Sequence, residues 1–166
     1  PSTERPVTEI TLGTPADVDK AVAAARRAFE SWSQTSVEER AALLGRIVDE
    51  YKKRIPDFAK AMSEEMGAPM GLATAAQAPT GLGHFMATLK ALSEFKWEEQ
   101  VGRAKVVHEP LGVVAMITPW NWPLNQICAK VAPALAAGDT MVLKPSEEAP
   151  TCAIILAEVL DAAGVP

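Results

Sequence analysis

The hydrophobic period of this chain changes near residue 100, and the order of elements after that change limits the fold more than any other feature. Gly112 to Ile117 is a short run rich in valine; a loop of Pro, Trp and Asn follows (118–123), then an apolar stretch of helical length (about 124–137). A second short apolar run (140–143), a polar loop (144–150) and a second helical stretch (151–163), stopped by Gly164, complete the pattern. Strands joined through a helix lie parallel, so the order predicts a βαβα unit of an open parallel sheet. Such a sheet is normally covered on both faces, and two strands make a poor core. The chain is therefore expected to be one part of a longer protein; the alternative is a small complete domain that finishes its sheet in an oligomer. Upstream, Ala104 to His108 is another valine-rich run, and Glu109-Pro110-Leu111 reads as a turn joining it to the strand at Gly112.

The first hundred residues carry helical spacing instead. Thr14-Pro15-Ala16-Asp17 combines a hydroxyl cap, a proline at the first helical position and a first-turn carboxylate. Val18, Val22, Ala25, Phe29 and Trp32 then recur in steps of four and three, one stripe along a helix. Ser36-Val37-Glu38-Glu39 is a capping box before Leu43, Leu44, Ile47, Tyr51 and Ile55. Pro56 opens a third helix with Phe58, Met62 and Met66, and Gly67 supplies a left-handed stop. A fourth stripe holds Leu82, Phe85, Met86, Leu89, Leu92 and Phe95; whether its helix already begins near Thr74, with Pro79 inside it, the pattern leaves open. The expected class is thus α/β: a helical region (1–102), then a hairpin and the first βαβα part of an open parallel-sheet domain (103–166), incomplete in this chain.

Composition narrows the function classes. Of 166 residues, 48% are hydrophobic and 22% charged, which excludes a disordered chain. A net charge of -5 argues against nucleic acid, whose phosphates need a surplus of lysine and arginine. No apolar run approaches the roughly 20 residues that span a bilayer, and the first residues carry no export signal. Cys128 and Cys152 are too few for a disulfide framework and fit a reducing compartment, so a cytoplasmic location is expected. Each cysteine sits among aliphatic residues and is read as core packing. His84 and His108 have no ligand cluster around them, so no metal site is expected. Trp97 is read as packing or interface material.

Two loops carry the chemistry. Asn121 follows the first parallel strand at its carboxyl end, where open α/β folds bind ligands. Prolines and tryptophans on both sides stiffen that loop, and a fixed amide N–H is what a developing oxyanion needs. The competing reading is an Asn that only stabilises its own turn. Glu147, in Lys144-Pro145-Ser146-Glu147 after the next strand, is placed to accept from both hydroxyls of a ribose, and Lys144 to donate to it. The competing reading makes Glu147, like Glu148, a charge favouring the following helix N-terminus. No G-x-G-x-x-G follows the first strand.

The segment from Glu109 to Pro123, EPLGVVAMITPWNWP, and the segment from Pro133 to Glu147, PALAAGDTMVLKPSE, closely resemble the aldehyde dehydrogenase superfamily. The resemblance extends over essentially the whole chain and corresponds to about the first third of such an enzyme. It implies an NAD-binding domain that works without the glycine fingerprint. Asn121 would be the donor to the thiohemiacetal oxygen formed when a catalytic cysteine attacks an aldehyde. Lys144, Ser146 and Glu147 would lie at the adenosine ribose, favouring NAD over NADP. Ile117, Thr118, Pro119 and Trp120 would line the nicotinamide side. A small aldehyde substrate and a homo-oligomer of the full-length protein are implied as well. Trp122 departs from the more usual phenylalanine and does not identify the aldehyde. The family's nucleophilic cysteine and general-base glutamate belong downstream of Pro166, so this chain is expected to be inactive alone. A CoA-acylating relative and a non-catalytic cofactor-binding or assembly module are the alternatives.

Overall fold

The computed structural model describes residues 3–166. Three helices come first: α1 (Pro15–Trp32), α2 (Val37–Lys53) and α3 (Ile55–Met66). A short turn of helix, α4 (Met70–Leu72), runs through a π turn (Ala73–Gln77) straight into α5 (Ala78–Glu94). Strands β1 (Glu98–Val101) and β2 (Ala104–Val107) follow, and then β3 (Val113–Ile117), α6 (Pro123–Ala137), β4 (Thr140–Lys144) and α7 (Thr151–Ala163).

Caps stand where the sequence puts them. The Asp17 carboxylate accepts from the Thr14 N–H at 2.9 Å, and that bond holds its pKa below the usual carboxylate range. Ser36 and Glu39 exchange bonds of 3.1 and 2.7 Å as a capping box, and Gly67 closes α3 at φ 71°. The question of Pro79 resolves into one continuous helix. A proline lacks the N–H that would bond four residues back, and its ring crowds that carbonyl. The π turn immediately before it widens the helix there, the usual way such a conflict is absorbed. On α1 only Ala25 and Trp32 are buried; Val18, expected on the inner stripe, is 55% exposed.

One core joins the helices to the sheet. Tyr51, Phe58, Phe85, Leu43, Leu44 and Ile47 from the helical part form a continuous cluster with Leu124, Ile127, Val131, Leu156 and Val159. β3 and β4 pair in parallel, Val113 opposite Thr140 through Ile117 opposite Lys144, so the βαβα reading holds. Val114, Met116, Met141 and Leu143 fall on one face and pack against the core. On the other face Ala115, Ile117 and Lys144 are exposed.

The hairpin is a correction. The valine-rich run Ala104–Val107 does not turn at Pro110 to pair with β3; it pairs antiparallel with Glu98–Val101 around Gly102, which has φ 60°. β1 is Glu-Glu-Gln-Val, with little strand propensity, and is fully exposed, so nothing in its composition announced it. β3 is instead committed to β4, and Asp139 fixes its entry by accepting from the Leu111 and Gly112 N–H groups at 2.6 and 3.0 Å.

Candidate functional site

β3 and β4 end side by side. Past the last register pair, Ile117 with Lys144, the Thr118 N–H donates to the Lys144 carbonyl at 3.3 Å. Two loops therefore diverge from one point at the carboxyl edge of the sheet, the crevice where open α/β proteins hold ligands. One loop carries Thr118 to Trp122 and the other Pro145 to Pro150.

In the first loop Thr118 is buried, while Pro119, Trp120 and Asn121 are exposed and Trp122 is half-buried. Pro123 takes the first position of α6, where its missing N–H costs nothing, and the Gln126 N–H returns to the Trp122 carbonyl at 3.0 Å. Among the described residues the Asn121 side chain makes no hydrogen bond within the chain, so its amide is not spent on the turn. Ile117, before the loop, is 76% exposed at the same edge. Behind it, His84 Nε2 lies 2.8 Å from Asn125 Oδ1, tying α5 to the first turn of α6.

In the second loop Lys144 Nζ donates to Glu147 Oε2 at 2.6 Å, with both side chains more than half exposed. The lysine bond holds the Glu147 carboxyl below the usual carboxylate range. Ser146 is half-buried, and its hydroxyl accepts from the Glu148 N–H at 3.2 Å, shaping the turn. Neither Glu147 nor Glu148 caps α7, whose first turn holds no acidic residue. That place is taken by Glu65 of α3, which accepts from the Thr151 N–H at 3.2 Å and from its hydroxyl. Burial pushes the Glu65 carboxyl up, against the pull of the Thr151 bonds. An exposed carboxylate paired with an ammonium offers acceptors and a donor of the kind a vicinal diol can use.

Cys128 and Cys152 are fully buried. Burial pushes both thiols up, Cys152 to about 12, so neither supplies a thiolate at neutral pH.

A structural clasp lies inside the Pro133–Glu147 segment. Gly138 ends α6 at φ 87°, with the Asp139 N–H returning to the Ala134 carbonyl at 2.9 Å. Asp139 then holds the start of β3, as described above. Arg40 of α2 is buried against the same turn, donating to the Ala136 carbonyl at 3.2 Å and to the Thr35 carbonyl at 2.8 Å. Its guanidinium carbon lies 5.4 Å from the centre of the Trp97 ring, which gives Trp97 a packing role. The visible signal was Gly-Asp after a helical run; that the Asp would face two amides 27 and 28 residues earlier was not visible.

The fold is α/β, with an exposed Asn121 on one exit loop of its parallel strand pair and a Lys144–Glu147 pair on the other. The chain belongs to the aldehyde dehydrogenase family, which it matches over residues 1–166. It is 55% identical over 167 aligned positions to the 3-succinoylsemialdehyde-pyridine dehydrogenase of a Pseudomonas species, covering 100% of this chain and 35% of that protein. It superposes with a TM-score of 0.91 on aldehyde dehydrogenase from Bartonella henselae, at 47% identity over 94% of this chain and 34% of that one. The same score relates it to aldehyde dehydrogenase C of Pseudomonas syringae, solved with NAD+ and octanal, at 49% identity over 93% of this chain and 32% of that one. The chain thus spans about a third of the length of the relatives it matches.

Proposed function

We propose that this chain is the part of an NAD-dependent aldehyde dehydrogenase that binds the cofactor and stabilises the oxyanion, in an enzyme that oxidises an aldehyde to a carboxylic acid. The observation that carries the reading is the meeting of the Asn121 and Lys144–Glu147 loops at one sheet edge, in a chain of this family. NAD, when bound, accepts the hydride. Lys144 and Glu147 hold the adenosine ribose, with Ser146 keeping their turn in shape. Ile117, Thr118, Pro119 and Trp120 border the nicotinamide, and the Asn121 amide donates to the oxygen that becomes negative as a thiolate adds to the aldehyde. That thiolate comes from a cysteine outside this chain. The structures of relatives in complex with NAD+ support the choice of cofactor. The one-third coverage supports a longer protein, two free buried thiols fit a reducing, cytoplasmic compartment, and assembly with copies of itself follows from the family reading alone. Among the described residues, no helix is long and apolar enough to cross a membrane.

Two measurements test this reading. The 166-residue chain alone should form no NADH from any aldehyde with NAD, because both its thiols are buried and protonated. Aldehyde-dependent NADH formation that Cys128→Ser abolishes would overturn that. In the full-length protein, Glu147→Gln should weaken NAD binding and narrow its preference over NADP. The carboxylate repels a 2′-phosphate and resists desolvation beside it, whereas an amide does neither. An unchanged ratio of kcat/KM for the two cofactors would remove Glu147 from the cofactor site.

A further inference from the structure

Helix α7 begins without a cap of its own. Pro150, the residue before it, offers no side-chain acceptor, and unserved N–H groups at a helix start are costly when partly buried. The service comes from 86 residues away: both Glu65 oxygens lie 3.2 Å from the Thr151 nitrogen, and one also accepts from the Thr151 hydroxyl. The connection this contact closes is short. β4 ends at Lys144 and α7 starts at Thr151, so residues 145–150 are pinned by the β3–β4 ladder at one end and by Glu65 at the other. Ala149 and Pro150 are buried, and Ser146 bonds within the turn, which leaves the segment little slack. Glu65 and Glu147 also border one open pocket of about 370 Å³, with Glu148 and Pro150 on their side and the 5–10 arm forming the opposite wall. The rest of α7 is tied down by α2 and the α2–α3 junction: Arg46 donates to the Ala163 carbonyl at 2.9 Å, and Arg54 pairs with Glu158 at 2.8 Å.

We propose that Glu65 is a positioning residue for the cofactor: by capping α7 from α3 it sets where the 145–150 turn presents the Glu147 carboxylate. The inference rests on the reading of Lys144 and Glu147 as the ribose-binding pair. No residue near Glu147 in sequence does this work, because the local chain has a proline where a capping side chain would stand.

The test uses the full-length protein, with NAD affinity, kcat, KM and Tm measured for each variant. Glu65→Ala should raise the dissociation constant for NAD about tenfold, the low end of what losing an orienting partner costs at other sites. At saturating NAD its kcat should change by less than about twofold, since no contact to the reacting atoms is lost. Glu65→Gln keeps an acceptor oxygen at the same reach and should bring affinity back to within about threefold of wild type. Should Glu65→Ala not fold, Thr151→Val decides: it removes one donor, keeps the N–H bond, and should weaken NAD binding by about threefold. Lower Tm with unchanged NAD affinity, in either variant, overturns the proposal and leaves Glu65 a cap that only stabilises the fold. Glu147→Gln separates the two ideas. If it leaves NAD affinity untouched, the ribose reading fails and the positioning role falls with it. If it weakens NAD while Glu65→Ala does not, only the positioning role fails. In the Glu147→Gln background, Glu65→Ala should cost less than about a further twofold, because residues acting through one contact are not additive.

Discussion

Asn121→Asp in the full-length protein should lose at least as much turnover as Asn121→Ala, and the alanine variant should lose about 100- to 1000-fold, or about 3 to 4 kcal/mol of transition-state stabilisation. The ordering follows from what each side chain offers the reacting oxygen. Asparagine donates an N–H; alanine donates nothing; aspartate presents a negative acceptor to a developing negative charge. The structure sharpens the contrast with a turn-stabilising role, because the exposed Asn121 side chain has no hydrogen bond within the chain among the described residues. Aspartate serves turns as well as asparagine, so a turn role would leave Asn121→Asp folded and active. The loop itself is held without Asn121, by the Thr118 N–H on Lys144 and by Pro123 opening α6. Tm and NAD affinity should therefore stay close to wild type while kcat collapses. An aspartate variant with near-normal turnover would end the oxyanion assignment.

The elements that were legible in the sequence are those whose signals are local. The Ser36–Glu39 box, Gly67 after α3, and the two apolar runs at 112–117 and 140–143 each state their structure within a few residues, and the observed elements match them to within a residue. The candidate site was legible for the same reason, since both loops follow strands that announce themselves. What escaped was set by distant partners. β1 is a polar segment that becomes a strand only because β2 lies beside it, and β2 is free to pair there because β3 belongs to β4. Asp139 drew no reading from its own neighbourhood, yet its carboxylate organises the entry to β3 from 27 and 28 residues downstream. Glu65 carries no local signal, and only the fold brings it to the start of α7. Val18 shows the converse, a periodic apolar position that the fold leaves uncovered.

Gly81→Ala should be among the most destabilising single-methyl changes in this chain, costing about 1 to 3 kcal/mol or more, the range for overpacking a full core. A Cβ at that position would lie 2.2 Å from Tyr51 Oη, 2.8 Å from its Cζ and 2.9 Å from Cys128 Sγ. None of these atoms can step aside cheaply. Tyr51 is fully buried, its hydroxyl donates to the Ala78 carbonyl at 2.8 Å, and its ring packs 4.7 Å from Phe58 and 6.3 Å from Phe85, centre to centre. Gly81 is what lets α5 approach α2 and α6 this closely, so the missing side chain is the packing surface. Gly83, two residues on, is the internal control: it is exposed, in the same helix, with nothing within 4 Å of its would-be Cβ. There alanine should stabilise by about 0.5 to 1 kcal/mol through helix propensity alone. Urea denaturation of both variants should thus give shifts of opposite sign from the same chemical change. Tyr51→Phe removes the nearest clashing atom but leaves the ring, so in that background Gly81→Ala should cost less, though still more than nothing. Equal effects at positions 81 and 83 would mean the helices part easily at Tyr51, and that the core behind the two loops is looser than this packing requires.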